Sequence, residues 1–141
     1  MNWQELSATS HYKTALAIAH ELELGHTSEA DKGIKELINA LSRSEKRALK
    51  SQLTRLMKHI LKWKNQPDYR SRSWVATIQN ARVEIKDIQE ETPSLNDNAI
   101  KQMWDESLSL AIVEAEDEMR QAISIVDLSW EEVFKQPYLL N

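Results

Sequence analysis

Cysteine is missing from this 141-residue chain, and glycine, proline and phenylalanine are scarce at two, three and one. Without a thiol there is no disulfide, no thiolate metal site and no cysteine nucleophile, and the composition fits a reducing cytoplasm. So few backbone punctuators argue against an all-β fold, which needs many tight turns. Gly25 and Gly33 alone do not make a phosphate-cradling loop, and neither a Gly-x-Ser-x-Gly elbow nor a zinc-protease helix occurs. The early apolar run Ala15–Ala19 is five residues long, against the ~7 to 15 of a secretion signal. No run approaches the ~20 apolar residues of a membrane span. The expectation is a cytoplasmic protein with no membrane partner.

What is present is globular: 41% hydrophobic and 28% charged residues. The net charge of −4 conceals segregation. Residues 43–72 hold ten Lys or Arg against Glu45 and Asp68, a balance of +8, which leaves −12 for the remainder. Such asymmetry bears on partners and on internal pairing.

Apolar spacing predicts a single all-α domain, an antiparallel helical bundle of four long helices plus a short C-terminal one. Tyr12, Leu16, Ala19 and Leu22 recur at helical spacing over 10–24, and Gly25 stops that helix. Ser28 with Asp31 predicts a start for 29–41, whose buried side is read as Ala30, Ile34, Leu37 and Leu41. Ser42 with Glu45 repeats the capping device for 43–65, where Leu49, Leu53, Leu56, Met57, Ile60, Leu61 and Trp63 form a stripe of helical period. Pro67 ends it. A 4-3 alternation of Trp74, Ile78, Ala81, Ile85 and Ile88 predicts a helix over 73–91. Pro93 marks a break before a long helix at 95–125. Ser129 with Glu132 permits a terminal helix around Trp130–Lys135. No repeat or low-complexity segment appears.

The string SEKRALKSQLTRLMKHILKWKNQPDYRSRSWVATIQNARVEI, followed by TPSL, resembles the bacterial, largely cyanobacterial, family catalogued as domain of unknown function 29. Its pattern falls here on Ser44, Glu45, Arg47, His59, Leu61, Lys62, Trp63, Pro67, Arg72, Ser73, Trp74, Ile78, Arg82, Ile85, Pro93 and Leu95. The likeness runs from about residue 10 to the C-terminus. Trp104, Ser107 and Leu108 stand where members often carry an aromatic, alanine and arginine, and a Cys-Pro common near the end is absent. The resemblance implies an all-helical fold and lends no activity.

Four constellations and a lone histidine carry the chemistry worth weighing. Arg47, Arg55, Lys58 and Lys62 are placed opposite the apolar set of their helix, with Arg70 and Arg72 beyond the turn. That row suits a phosphate backbone, with Trp63, Tyr69 or Trp74 to stack on bases. The plainer reading is a solvated face neutralised in part by residues 94–123, which hold seven acids against two bases. Trp63, Trp74, Trp104 and Trp130 read as core volume rather than a ligand pocket, and His59 as a boundary histidine. Glu23-x-x-His26 has di-iron spacing but occurs once, where such sites need it twice. Glu114 and Glu118, at i and i+4, suit a hard cation or, preferably, the basic helix. No catalytic residue, metal ligand or cofactor is assigned. The leading functional reading is a non-enzymatic interaction module for a protein partner or a second copy. The alternatives are nucleic-acid binding through Arg47, Arg55, Lys58, Lys62, Arg70 and Arg72 and, more weakly, a metal-dependent enzyme.

Overall fold

The computed structural model describes all residues 1–141 and is all-helical, with six α-helices and no strand. The helices are α1 (Trp3–Thr9), α2 (His11–Glu23), α3 (Thr27–Asn65), α4 (Arg72–Glu91), α5 (Asp97–Met119) and α6 (Trp130–Phe134), with a 3-10 turn at Pro67–Tyr69. No helix is long and apolar enough to cross a membrane. The chain divides into two compact units, Met1–Arg47 and Ala48–Asn141.

Two helix boundaries differ from the expectation. The segments expected as 29–41 and 43–65 form one helix of 39 residues. Ser42 and Glu45 match a capping signature, yet nothing between Ile38 and Leu49 is proline or glycine. Serine costs only a few tenths of a kcal/mol inside a helix, so the hydrogen-bond ladder runs on. At the other end of the chain, the helix expected at 95–125 stops at Met119, where Arg120 turns left-handed at φ 56°. Beyond it the sequence Ile-Ser-Ile-Val is β-branched and serine-rich and favours extended backbone. Asn65 fixes that backbone: its side-chain oxygen accepts from Ser124 and Ile125 N–H at 3.3 and 3.1 Å.

The first unit contains a helix that period alone did not reveal. Asn2 caps α1 by accepting from Glu5 N–H. Trp3 then covers Ile18 and Ala30, and its indole N–H donates to Glu29 at 2.8 Å. Gly33 makes this approach feasible, since a Cβ there would lie 2.7 Å from Ile18 Cγ1 and 2.8 Å from Trp3 Cζ3. Packing against the glycine rotates the buried side of α3 to Ala30, Gly33, Leu37 and Ala40. The expected buried positions Ile34 and Leu41 are exposed, as are Tyr12, Leu16, Ala19 and Leu22 of α2, whose inner side is instead Thr14 and Ile18. Gly25, at φ 78°, ends α2 and lets His26 N–H reach the Glu21 carbonyl at 2.8 Å.

The second unit follows the stripes. Leu49, Leu53, Leu56, Met57, Ile60 and Leu61 of α3 are all 0% exposed. They pack with Ile78, Ala81 and Ile85 of α4, Ile100, Ala111 and Ala115 of α5, and Val133 of α6. Each large side chain contributes about 1.5–3 kcal/mol relative to exposure, which explains why this half was legible. Ser71 caps α4 through Trp74 N–H, Asn96 caps α5 through Ala99 N–H, and Ser129 with Glu132 forms a complete capping box on α6.

Candidate functional site

Two of the six cations singled out from the sequence are enclosed by acids of α5. Lys58 and Lys62 have side chains only 17% and 12% exposed. Lys58 meets Glu118 at 3.1 Å and Glu114 at 3.6 Å, and Lys62 meets Glu118 at 3.6 Å with its ammonium 5.0 Å from the Trp74 ring centre. These two lysines therefore flank the core stripe rather than opposing it. Lys50 pairs with Glu106 and Lys64 with Glu132, so four lysines of α3 engage acids of α5 and α6. Arg55 donates to Asn80 at 3.1 Å and Gln52 at 3.3 Å. The guanidinium of Arg70 lies 4.5 Å from the Trp63 ring centre, and its Nε donates to the Trp63 carbonyl at 3.0 Å. Arg72 is the exposed first residue of α4. Arg47 belongs to the first unit, where with Arg43, Ser44, His11, Thr9 and Ser7 it lines a concave site of about 330 Å³.

The ionisable groups respond to this pairing. Burial pushes the Glu118 carboxyl up, but the Lys58 hydrogen bond and the charges of Lys62 and Lys58 outweigh it and hold it below the ordinary range. His59 is held below the usual imidazole value, first by burial and then by Lys62 and Lys58. Its contact with the Arg55 carbonyl, 2.9 Å from Nδ1, acts the other way. For Glu132, burial is likewise outweighed by Lys64 and the Ser129 cap. Tyr138 is raised to about 12, chiefly by burial and then by the charge of Glu132.

The remaining candidates resolve into packing and local pairing. Trp63 meets Tyr138 edge-on at 5.5 Å, and Trp104 stacks on Trp130 at 5.8 Å. His26 Nδ1 lies 2.7 Å from Glu21, not Glu23, and no three His, Asp or Glu side chains gather as a metal site. Two anchors escaped the sequence reading of roles. Arg82 donates to the carbonyls of Val133 at 2.8 Å and Glu132 at 3.1 Å and lies 5.4 Å from the Tyr138 ring centre, tying α4 to α6. Asn65 holds the segment after α5. Their targets are backbone groups, which no residue spacing announces.

The feature least visible in the sequence is apolar. In the first unit Tyr12 is 73% exposed, Leu16 51% and Ile38 59%, and Ile34 and Leu41 are also open. The unit's own core holds only Trp3, Ile18 and Ala30, with Leu6, Ala17 and Leu37 packed against it. More of its large apolar side chains thus point outward than inward. Tyr12 with Leu16, and Ile34 with Ile38, stand one helical turn apart, and neighbouring exposed apolar side chains mark an interaction site more often than single scattered ones do.

Comparison with known proteins yields one match. The family model described as "Domain of unknown function DUF29" fits residues 11–139. No curated protein and no solved structure matches the chain.

Proposed function

The chain belongs to the domain-of-unknown-function 29 family, and from that premise we propose that it is a non-enzymatic protein-interaction module, an antiparallel helical bundle working as one domain in a bacterial cytoplasm. One observation carries this reading: the first unit leaves Tyr12, Leu16, Ile34 and Ile38 open while burying a small core. Units with so little buried apolar surface gain stability from association. The test is affinity capture from the native cell with the full chain, comparing wild type with a Leu16→Glu/Ile38→Glu double variant that retains its helical circular dichroism. A protein captured by wild type and lost with the variant supports the reading. Equal capture by both removes the apolar face from any role.

A second reading is nucleic-acid binding through Arg55, Arg70 and Arg72, favoured by one fact: none of the three guanidinium groups is held by a carboxylate, whereas the lysines of α3 named above are. Binding of that kind weakens steeply with salt, by nearly one unit of log–log slope per neutralised phosphate. Absence of binding to single- and double-stranded DNA and RNA at ~50 mM salt ends it.

A further inference from the structure

We propose that the occupant of the open face on the first unit is a second copy of this chain, docked on a two-fold axis with the two α2–α3 hairpins running in opposite directions. The inference rests on the interaction-module reading and adds the partner's identity and geometry.

The first step is that α2 and α3 present one continuous face. Ile18 lies five residues before the end of α2 and touches Gly33, six residues after the start of α3. Farther from the turn, His11 and Ala40 line the same concave site. The helices thus stay together away from Gly25, as antiparallel neighbours do. At about 100° per residue, Tyr12, Leu16 and Ala19 lie roughly 100–160° round α2 from Ile18, and Ile34, Ile38 and Leu41 lie roughly 20–80° round α3 from Ala30, in the same rotational sense. For antiparallel helices turned toward each other, equal rotational sense puts both stripes on the same side of the pair. Trp3, reaching Glu29 and Gly33, places α1 on the other side.

The second step is what fits a face of two antiparallel helices with apolar stripes. An identical face does, completing a four-helix layer with an isologous interface. Charge selects the direction. Around the turn, residues 20–32 hold Glu21, Glu23, Glu29 and Asp31 against Lys32, a balance of −3. At the far end, residues 11–13 and 40–47 hold Lys13, Arg43, Lys46 and Arg47 against Glu45, a balance of +3. Two hairpins pointing the same way would set like charges together at both ends. Opposed hairpins set the acidic end over the basic end at both ends, which favours that register and speeds encounter. Arg43 and Arg47, which line the concave site on the α1 side, act there through their field and not by contact. With opposed hairpins on a two-fold axis, α2 packs on its own copy and Leu16, near its midpoint, lies beside the copy's Leu16. Ile34 then faces the copy's Ile38.

The absence of cysteine makes the geometry directly testable. Sedimentation of the full chain is expected to show a dimer at ~10 µM, and Leu16→Glu/Ile38→Glu to raise its dissociation constant on the order of 100-fold, as loss of central anchors does, with helicity retained. Under mild oxidant, Leu16→Cys is expected to form a covalent dimer, and Leu24→Cys, equally exposed but off the face, is not. A dimer that the double variant leaves intact, or one in which Leu16→Cys fails to cross-link, overturns the proposed interface. A wild-type monomer at ~100 µM overturns the second copy as occupant. If such a monomer still captures a protein that the double variant loses, the interaction-module reading survives this failure; if capture is equal, both fall.

Discussion

Two side chains in this molecule are costly where they stand. Ser107 is 0% exposed on α5 and its hydroxyl has no hydrogen-bond partner, and Thr54, 7% exposed on α3, shares that condition. A buried hydroxyl left unpaired costs about 1–3 kcal/mol, so Ser107→Ala is expected to raise stability by roughly 1 kcal/mol. The measurement is the urea midpoint at unchanged m-value, and an unchanged or lowered midpoint refutes the account. Gly33 is the converse. Glycine inside a helix costs about 1 kcal/mol against alanine, which suggests that Gly33→Ala stabilises. Here the added methyl would sit 2.7–2.9 Å from Ile18 and Trp3, so the substitution must displace a tryptophan that also donates to Glu29. Gly33→Ala is expected to destabilise by about 1–3 kcal/mol, the range for overpacking, with a shifted Trp3 indole N–H resonance as the local sign.

At the scale of elements, legibility followed burial. The stripes from Leu49 to Trp63 and from Trp74 to Ile88 name their helices because each buried residue contributes to one large core. The seven-residue α1 has two buried positions, Trp3 and Ser7, too few for any period. The outward faces of α2 and α3 were misassigned because helical spacing locates an apolar stripe without saying whether anything covers it. In the candidate cation row, position was readable and exposure was not, since the acids that enclose Lys58 and Lys62 lie more than 50 residues away on α5. The end of α5 shows how local strain sets a boundary. Arg120 adopts φ 56°, a conformation that favours glycine at helix C-termini. Arg120→Gly removes the Cβ penalty and is expected to stabilise by about 0.5–1 kcal/mol, less what glycine adds to the unfolded chain's entropy. A lowered melting temperature would show that Arg120 contributes through its side chain instead.

For the molecule as a whole, Glu118, Glu132 and His59 all withdraw stability as pH falls, whereas Tyr138, raised to about 12, withdraws it only in the alkaline range. The Glu118 and Glu132 carboxyls are held below their usual value of 4.5, with burial opposed and overcome by Lys58 and Lys62 in one case and Lys64 and Ser129 in the other. A group whose pKa is depressed on folding stabilises above its unfolded value, and that contribution is lost as pH falls through the folded value. His59 is also depressed from 6.5, chiefly by burial, with Lys62 and Lys58 adding repulsion and the Arg55 carbonyl and Glu118 opposing them. Its neutral form is the folded one, so it too withdraws stability as pH drops. Melting temperature is therefore expected to hold level between pH 6.5 and the alkaline range where tyrosine ionises, decline below pH 6.5 as His59 resists protonation, and decline again below pH 4.5 as the carboxylates that engage α3 are neutralised. The two declines belong to different groups. His59→Gln is expected to abolish the first and leave the second, while Glu118→Gln weakens the second and, by removing a carboxylate that favours His59 protonation, deepens the first and extends it to lower pH without moving its onset. A melting curve that falls only below pH 4.5 in wild type would mean that His59 titrates alike in the folded and unfolded chain. Because α3 runs unbroken from Thr27 to Asn65, one cooperative transition is expected at every pH, with the assigned Trp3 indole N–H resonance and far-ultraviolet circular dichroism melting together. Separate midpoints for the two probes would mean that α3 does not join Met1–Arg47 to the remainder as one folding unit.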